Sequence, residues 1–217
     1  MFFILIFFIL HILSDNNRNI IPLFHSCTTG GIALIYLPYL LSENTNIINT
    51  NDLGEFCASV TLQFMIYDLI NCGKIEYVFH HILAIIASSY VMYTRNYETL
   101  VLYIEVNEVS TIFLNLAYLN ILKNTNEFLF VITFILCRII WLPWIIIYKE
   151  VNGILLYIMY LHYILQLFWL FKIFKKIGKL LRWYHGISWH IMAYHGISCH
   201  IIRRCGNSRP TRTNTGE

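Results

Sequence analysis

The sequence predicts an all-α fold, a multi-pass transmembrane bundle of six or seven helices. Of its 217 residues, 58% are hydrophobic and only 12% are charged, whereas about 25% of the residues in a soluble domain are charged. Apolar runs near the length of about 20 residues that spans a bilayer recur between short polar segments. This length allows one helix bundle and no second soluble domain of any size.

The first predicted helix is a short hydrophobic anchor within residues 1–16, because its apolar run is too short to cross a bilayer. A signal peptide is the alternative, but no basic residue precedes the run and no small-residue cleavage motif follows it. The longer spans are predicted, in order, at residues 20–41, 54–72, 77–94, 98–122, 128–148 and 153–171.

The distribution of positive charge predicts the orientation. Nine of the fifteen Lys and Arg residues follow residue 171, so the positive-inside rule predicts a cytoplasmic C-terminus. Alternation then places Arg18, Lys74 and Lys123 on the cytoplasmic side and Arg95 and Lys149 on the other. We expect membrane lipids, and not nucleic acid, to be the partners of the basic tail.

The predicted tail, residues 177–217, contains a tandem repeat, YHGISWHIMA followed by YHGISCHIIR, at 184–203. The five-residue spacing of its histidines points successive side chains in different directions, which argues against a metal site and favours a simple duplication. The basic stretch at 171–183 has apolar residues at helical spacing, so it predicts an interfacial extension of the last span or a flank that fixes orientation.

Several ionisable or polar side chains fall inside the predicted spans. A charged group in hydrocarbon costs a few kcal/mol (about 2.5–3.5 on insertion scales), so such residues normally face the bundle interior. Glu105, Glu108 and Asn115 follow helical spacing with Thr111 beside them, and Arg138 requires an acidic partner such as Glu105 or Glu108. The predicted lipid-binding polar core comprises His25, Asp68, Glu105, Thr111, Asn115 and Arg138.

The adjacent pair His80 and His81 is the most specific local feature. Neighbouring side chains on a helix point about 100° apart, so at most one is expected to act as a general base, oriented by Glu108. The alternative is a structural core in which the polar residues satisfy one another. A zinc site would need three or four converging ligands, and the spacing does not require one, so no metal and no cofactor is predicted.

Four sequence blocks in order resemble the TLC domain, a membrane domain shared by ceramide synthases, translocating-chain-associated membrane proteins and proteins of lipid homeostasis. The blocks are NRNIIPLFHSCTTGGIALIY, YDLIN with VFHHILAI, NEVSTIFLN and CRIIWLPW, and the resemblance covers residues 17–176. His80 and His81 match the paired histidines of ceramide synthases. Glu108 and Thr111 stand where the two aspartates of those enzymes would be, so the chain is more similar to the non-synthase members.

The resemblance implies a bundle around a lipid-accessible interior. We expect a protein that binds or handles lipid and influences membrane lipid composition. One alternative is an N-acyltransferase that uses acyl-CoA as substrate and His80, His81 and Glu108 as catalytic residues; another is a membrane chaperone or cargo receptor. An endoplasmic reticulum-type membrane, or a host membrane for a virus-encoded protein, is the expected location, and the oligomeric state stays open.

Overall fold

The computed structural model describes residues 2–13, 19–42, 50–149 and 151–205, with side chains described up to residue 179. The side chains of the tandem repeat and all of residues 206–217 therefore lie outside the described residues. The elements are α1 (Phe2–Leu13), α2 (Ile20–Leu41), α3 (Thr50–Asn71), α4 (Ile75–Thr94), α5 (Glu98–Glu105), α6 (Glu108–Tyr118), α7 (Lys123–Phe134), a π-helical segment (Ile135–Trp141), α8 (Leu142–Tyr148) and α9 (Gly153–Cys205).

Six stretches of the described chain are long and apolar enough to cross a membrane. They are α2, α3, α4, α5 with α6 (Glu98–Tyr118), α7 through α8 (Lys123–Tyr148) and the first part of α9 (Gly153–Lys179). Large apolar side chains such as Ile70, Tyr93 and Ile147 are exposed, as expected where lipid replaces water as the surrounding solvent. The predicted all-α multi-pass bundle is confirmed.

The short helix α1 packs against α3. The side-chain oxygen of Gln63 accepts hydrogen bonds from the backbone N–H groups of Phe3 (3.0 Å) and Ile4 (3.3 Å), which lack partners within their own first turn. Phe7 is fully buried, and its ring lies 5.8 Å from that of Phe64. The helix is thus held by both a polar cap and an apolar contact.

The fifth span, predicted over 98–122, extends over Glu98–Tyr118, and its helix is interrupted at Val106 and Asn107. The N–H of Asn107 donates to the carbonyl of Ile104, and the N–H of Val109 donates to that of Val106, which are the tighter bonds of a 3₁₀ turn. Helix α2 passes close to this break because Gly30 has no side chain; an added Cβ would lie 3.1 Å from the Cβ of Glu108.

The sixth span contains the π-helical segment Ile135–Trp141 just before Pro143. Pro143 has no N–H, so the carbonyl one turn earlier loses its usual donor, and wider π-type bonding relieves the clash with the proline ring. Arg138 is the buried residue of this segment. The change of helical pitch therefore coincides with the charged side chain that points into the bundle.

Helix α9 continues well beyond the predicted end of the last span at Phe171, and reaches Cys205. Its side chains at 172, 175, 176 and 179 are exposed lysines. The chain divides into two compact units, Met1–Leu170 and Phe171–Glu217. Everything described below lies in the first unit.

Candidate functional site

Arg138 is the centre of a buried polar network. Its Nε donates to Ser110 Oγ (2.8 Å), Nη1 to Gln166 Oε1 (3.2 Å) and Nη2 to Thr111 Oγ1 (2.7 Å). Nη2 also lies 3.5 Å from Glu108 Oε1, and the arginine side chain is only 8% exposed. This is the arginine–glutamate pair that the sequence predicts, completed by neutral acceptors from α6 and α9.

The acidic side of the network joins α2, α3 and α5 to Glu108. Ser26 donates to Glu108 Oε2 (2.9 Å), and His25 Nδ1 lies 3.8 Å from the same oxygen. His25 Nε2 is 3.1 Å from the hydroxyl of Thr61, which donates to Glu105 Oε1 (2.6 Å). Because that hydroxyl has a single proton, His25 Nε2 must be the donor when Glu105 is ionised.

The histidine side of the network runs from α9 to α4 and back to α3. Gln166 Nε2 lies 2.7 Å from His162 Nε2, and the ring of His162 is 5.0 Å from that of His80. The rings of His80 and His81 are 5.5 Å apart. His81 Nε2 reaches Asp68 Oδ2 at 3.1 Å. Polar side chains thus form a chain of contacts that includes a member from each of the six spans.

The structure brings most of the predicted site residues into this network, namely His25, Asp68, His80, His81, Glu105, Glu108, Thr111 and Arg138. Asn115 is buried on α6, but its Nδ2 has no hydrogen-bond partner among the described residues. Glu108 pairs with Arg138 and Ser26, and Asp68 is the carboxylate that holds His81. The carboxylate in contact with His81 is therefore Asp68, whereas Glu108, which we expected to orient this histidine, contacts Arg138.

Five further members were not predicted: Ser26, Thr61, Ser110, His162 and Gln166. His162 carried a usable signal, because it is an ionisable side chain within the last span and Gln166 lies four residues later on the same helical face. The serines and threonines carried none, since such side chains commonly bond to their own helix backbone.

Four residues of the fourth and fifth spans leave buried polar atoms without a hydrogen-bond partner in the described part of the chain. These are Nδ1 of His80, Nδ1 of His81, the side-chain oxygen and nitrogen of Asn107, and Nδ2 of Asn115. Buried polar groups are normally paired, so each is a place where a ligand or water can bond. Among the described residues, no group of three or more His, Cys, Asp or Glu is arranged to hold a metal ion.

The fold and this network define the class: an integral multi-pass membrane protein with a polar interior. The profile of the TLC domain matches residues 15–175, which is more than half of the 217 residues. The chain therefore belongs to the TLC domain family, as the sequence blocks predict. No curated protein and no solved structure matches it.

Proposed function

We propose that this TLC domain protein binds and handles a membrane lipid, and thereby influences membrane lipid composition. The observation that carries the proposal is the set of unpartnered buried atoms on His80, His81 and Asn107 beside a charged network. In hydrocarbon, a polar group without a partner is costly. The headgroup or acyl carbonyl of a lipid entering between the spans supplies such a partner.

The donors that face this interior suit an oxygen-rich lipid group. A guanidinium has five N–H donors, and Arg138 uses three of them in hydrogen bonds to Ser110, Gln166 and Thr111. Glu108 lies beside it, so the charge of the pair is already balanced. A neutral carbonyl or ester oxygen therefore fits better than a second anion, which would upset that balance in a medium of low dielectric.

Acyl transfer is a second candidate, favoured by the geometry of His81. Its Nε2 is held by Asp68 at 3.1 Å and its Nδ1 has no partner, which is the arrangement of an oriented general base. In that reaction the nitrogen of a sphingoid base attacks the thioester carbonyl of acyl-CoA. The imidazole takes the proton from the amine, and the thiolate of CoA leaves.

Lipid mass spectrometry on the gently extracted protein tests the first proposal. We expect the wild-type protein to retain a defined lipid class, and His80→Phe to lose most of it, because phenylalanine keeps the ring contacts with His162 and Trp169 but removes both nitrogens. His11→Phe is the matched control, since its ring packs on Tyr67 in α3. Retention of the same lipids by His80→Phe, or recovery of client proteins without lipid, would overturn the proposal.

The two candidates are separated by offering a long-chain base and labelled acyl-CoA to the purified protein in detergent. Lipid handling without turnover predicts no N-acylated product. Product formed by the wild-type protein and by His11→Asn, but lost in His81→Asn and reduced in Asp68→Asn, would establish the acyltransferase instead.

A further inference from the structure

Four aromatic rings form a stacked group near the end of α8, which we call the aromatic wedge: Tyr103, Trp141, Trp144 and Tyr148. The rings of Trp141 and Trp144 are 4.8 Å apart and nearly parallel, and Tyr148 lies 5.5 Å beyond Trp144. Tyr103 and Trp144 are 6.5 Å apart with their planes 45° from each other. The faces of Tyr103 and Trp144 are thus inclined to each other and border the same space.

The rings are fixed by hydrogen bonds and by packing. Trp141 Nε1 donates to the carbonyl of Tyr103 (2.8 Å), and the hydroxyl of Tyr103 donates to the carbonyl of Leu40 (2.7 Å). Tyr103 is buried, whereas Tyr148 is 65% exposed. The wedge is therefore rigid on its inner side and accessible on its outer side, which lowers the ordering cost of binding.

A cation already occupies this space. The ammonium of Lys149 lies 4.4 Å from the centre of the Tyr103 ring and 5.7 Å from that of Trp144. None of the described carboxylates is within ion-pair distance of it. Within the described part of the chain, the charge is thus held by ring faces, as in a cation–π contact.

The wedge lies at a boundary of the membrane-spanning region. Tyr148 is the last residue of one span and Gly153 begins the next, so Lys149 falls in the turn between them. Aromatic residues at such positions lie at the level of the lipid headgroups. Ligands that reach the wedge from its exposed side are therefore the headgroups of the surrounding bilayer.

We propose that the aromatic wedge binds the quaternary ammonium of a phosphocholine headgroup, which replaces the ammonium of Lys149. A lysine ammonium is compact and strongly hydrated, whereas a trimethylammonium group has no N–H to satisfy and suits an aromatic cage. The displaced Lys149 then pairs with the phosphate of the same headgroup. The wedge shares no residue with the Arg138 network, so the tests of this site do not depend on the function proposed above.

The first test compares two lipids that differ only in their headgroup nitrogen, dioleoylphosphatidylcholine and dioleoylphosphatidylethanolamine, by native mass spectrometry of the full chain. The wild-type protein should prefer the choline lipid, by between about 3-fold and 30-fold for a cation–π gain of this kind. Trp144→Leu should abolish the preference and Trp144→Phe should keep part of it. Tyr93→Leu, which removes an exposed aromatic side chain from the end of α4, should leave it unchanged.

The second test distinguishes the whole headgroup from a free quaternary ammonium ion. Lys149→Met removes the ammonium group from the wedge, so tetramethylammonium should then bind there. Saturation transfer from the protein to the methyl protons of the ion, measured by NMR, detects this binding. In the wild-type protein Lys149 competes and no phosphate accompanies the ion, so no transfer is expected. Equal binding of the two lipids by wild type, equal losses in Tyr93→Leu and Trp144→Leu, or no tetramethylammonium signal in Lys149→Met would each overturn the proposal.

Discussion

Two arginine–glutamate pairs in this molecule have the same separation and opposite surroundings. Arg138 and Glu108 are 3.5 Å apart with side chains 8% and 15% exposed, and Arg95 and Glu55 are also 3.5 Å apart but 73% and 37% exposed. The distance between the two charges therefore does not by itself determine how much the pair contributes to the stability of the fold. In the interior, each charge depends on the other, whereas at the edge each can be solvated separately.

The neighbours of the two pairs differ as well. Arg138 has three further hydrogen bonds to neutral side chains, so removing it would deprive Glu108 of its cation and three side-chain oxygens of this donor. Arg95 follows the last residue of α4 in a left-handed conformation with φ 50°, where its side chain extends outward. The interior pair is therefore hydrogen-bonded to side chains of other helices, whereas the outer pair lies exposed at the end of α4.

The largest effect should come from Arg138→Met. Breaking a buried pair by removing one partner costs about 3–5 kcal/mol, here because the carboxylate of Glu108 keeps its burial and loses its cation. The equilibrium unfolding of the purified protein in mixed detergent measures this loss. Arg95→Met is the control and should change the unfolding free energy by less than about 1 kcal/mol. Similar losses in both variants would remove the distinction between the two regions.

A smaller loss of stability is expected when a methyl group is added to a glycine at a helix contact. Gly54 lies at such a contact and Gly31 does not. An added Cβ on Gly54 would overlap the backbone carbonyl of Glu98, whereas one on Gly31 would have nothing within 4 Å. Gly54→Ala should therefore destabilise by about 1–3 kcal/mol through overpacking. Gly31→Ala should be neutral or slightly stabilising, because alanine favours helix more than glycine does. The same unfolding assay compares them, and a loss in Gly31→Ala as large as that in Gly54→Ala would contradict the packing described here.

The smallest loss of stability is expected for a substitution of Asp68, the more exposed member of its pair with His81. Asp68 is 30% exposed in its pair with His81, so Asp68→Asn should cost about 1 kcal/mol, the usual net value of one hydrogen bond. The same unfolding assay measures this loss. A loss in Asp68→Asn as large as that in Arg138→Met would contradict this ranking of the two positions.

The bundle was largely predictable because membrane insertion is a local property. Each span must be apolar over about 20 residues, and this is visible in the sequence without knowledge of contacts. The same reasoning identified His25, Glu108 and Arg138, since a charged or ionisable side chain in such a run has few alternatives to the interior.

What the sequence could not supply was the set of contacts between distant segments. The fifth span appears continuous by periodicity, yet it breaks at Val106 and Asn107, where α2 approaches through Gly30. Likewise, Asp68 reaches His81 because α3 and α4 are antiparallel neighbours joined by a three-residue turn. Such pairings follow from packing geometry, which composition and spacing leave open.

The central claim is that ionisable side chains from separate spans meet in a shared interior. A double-mutant cycle on Arg138→Met and Glu108→Gln tests it most directly, with Arg95→Met and Glu55→Gln as the parallel cycle. We expect a coupling energy of about 2 kcal/mol or more for the interior pair and below about 1 kcal/mol for the outer pair. An interior coupling no larger than the outer one would contradict the claim.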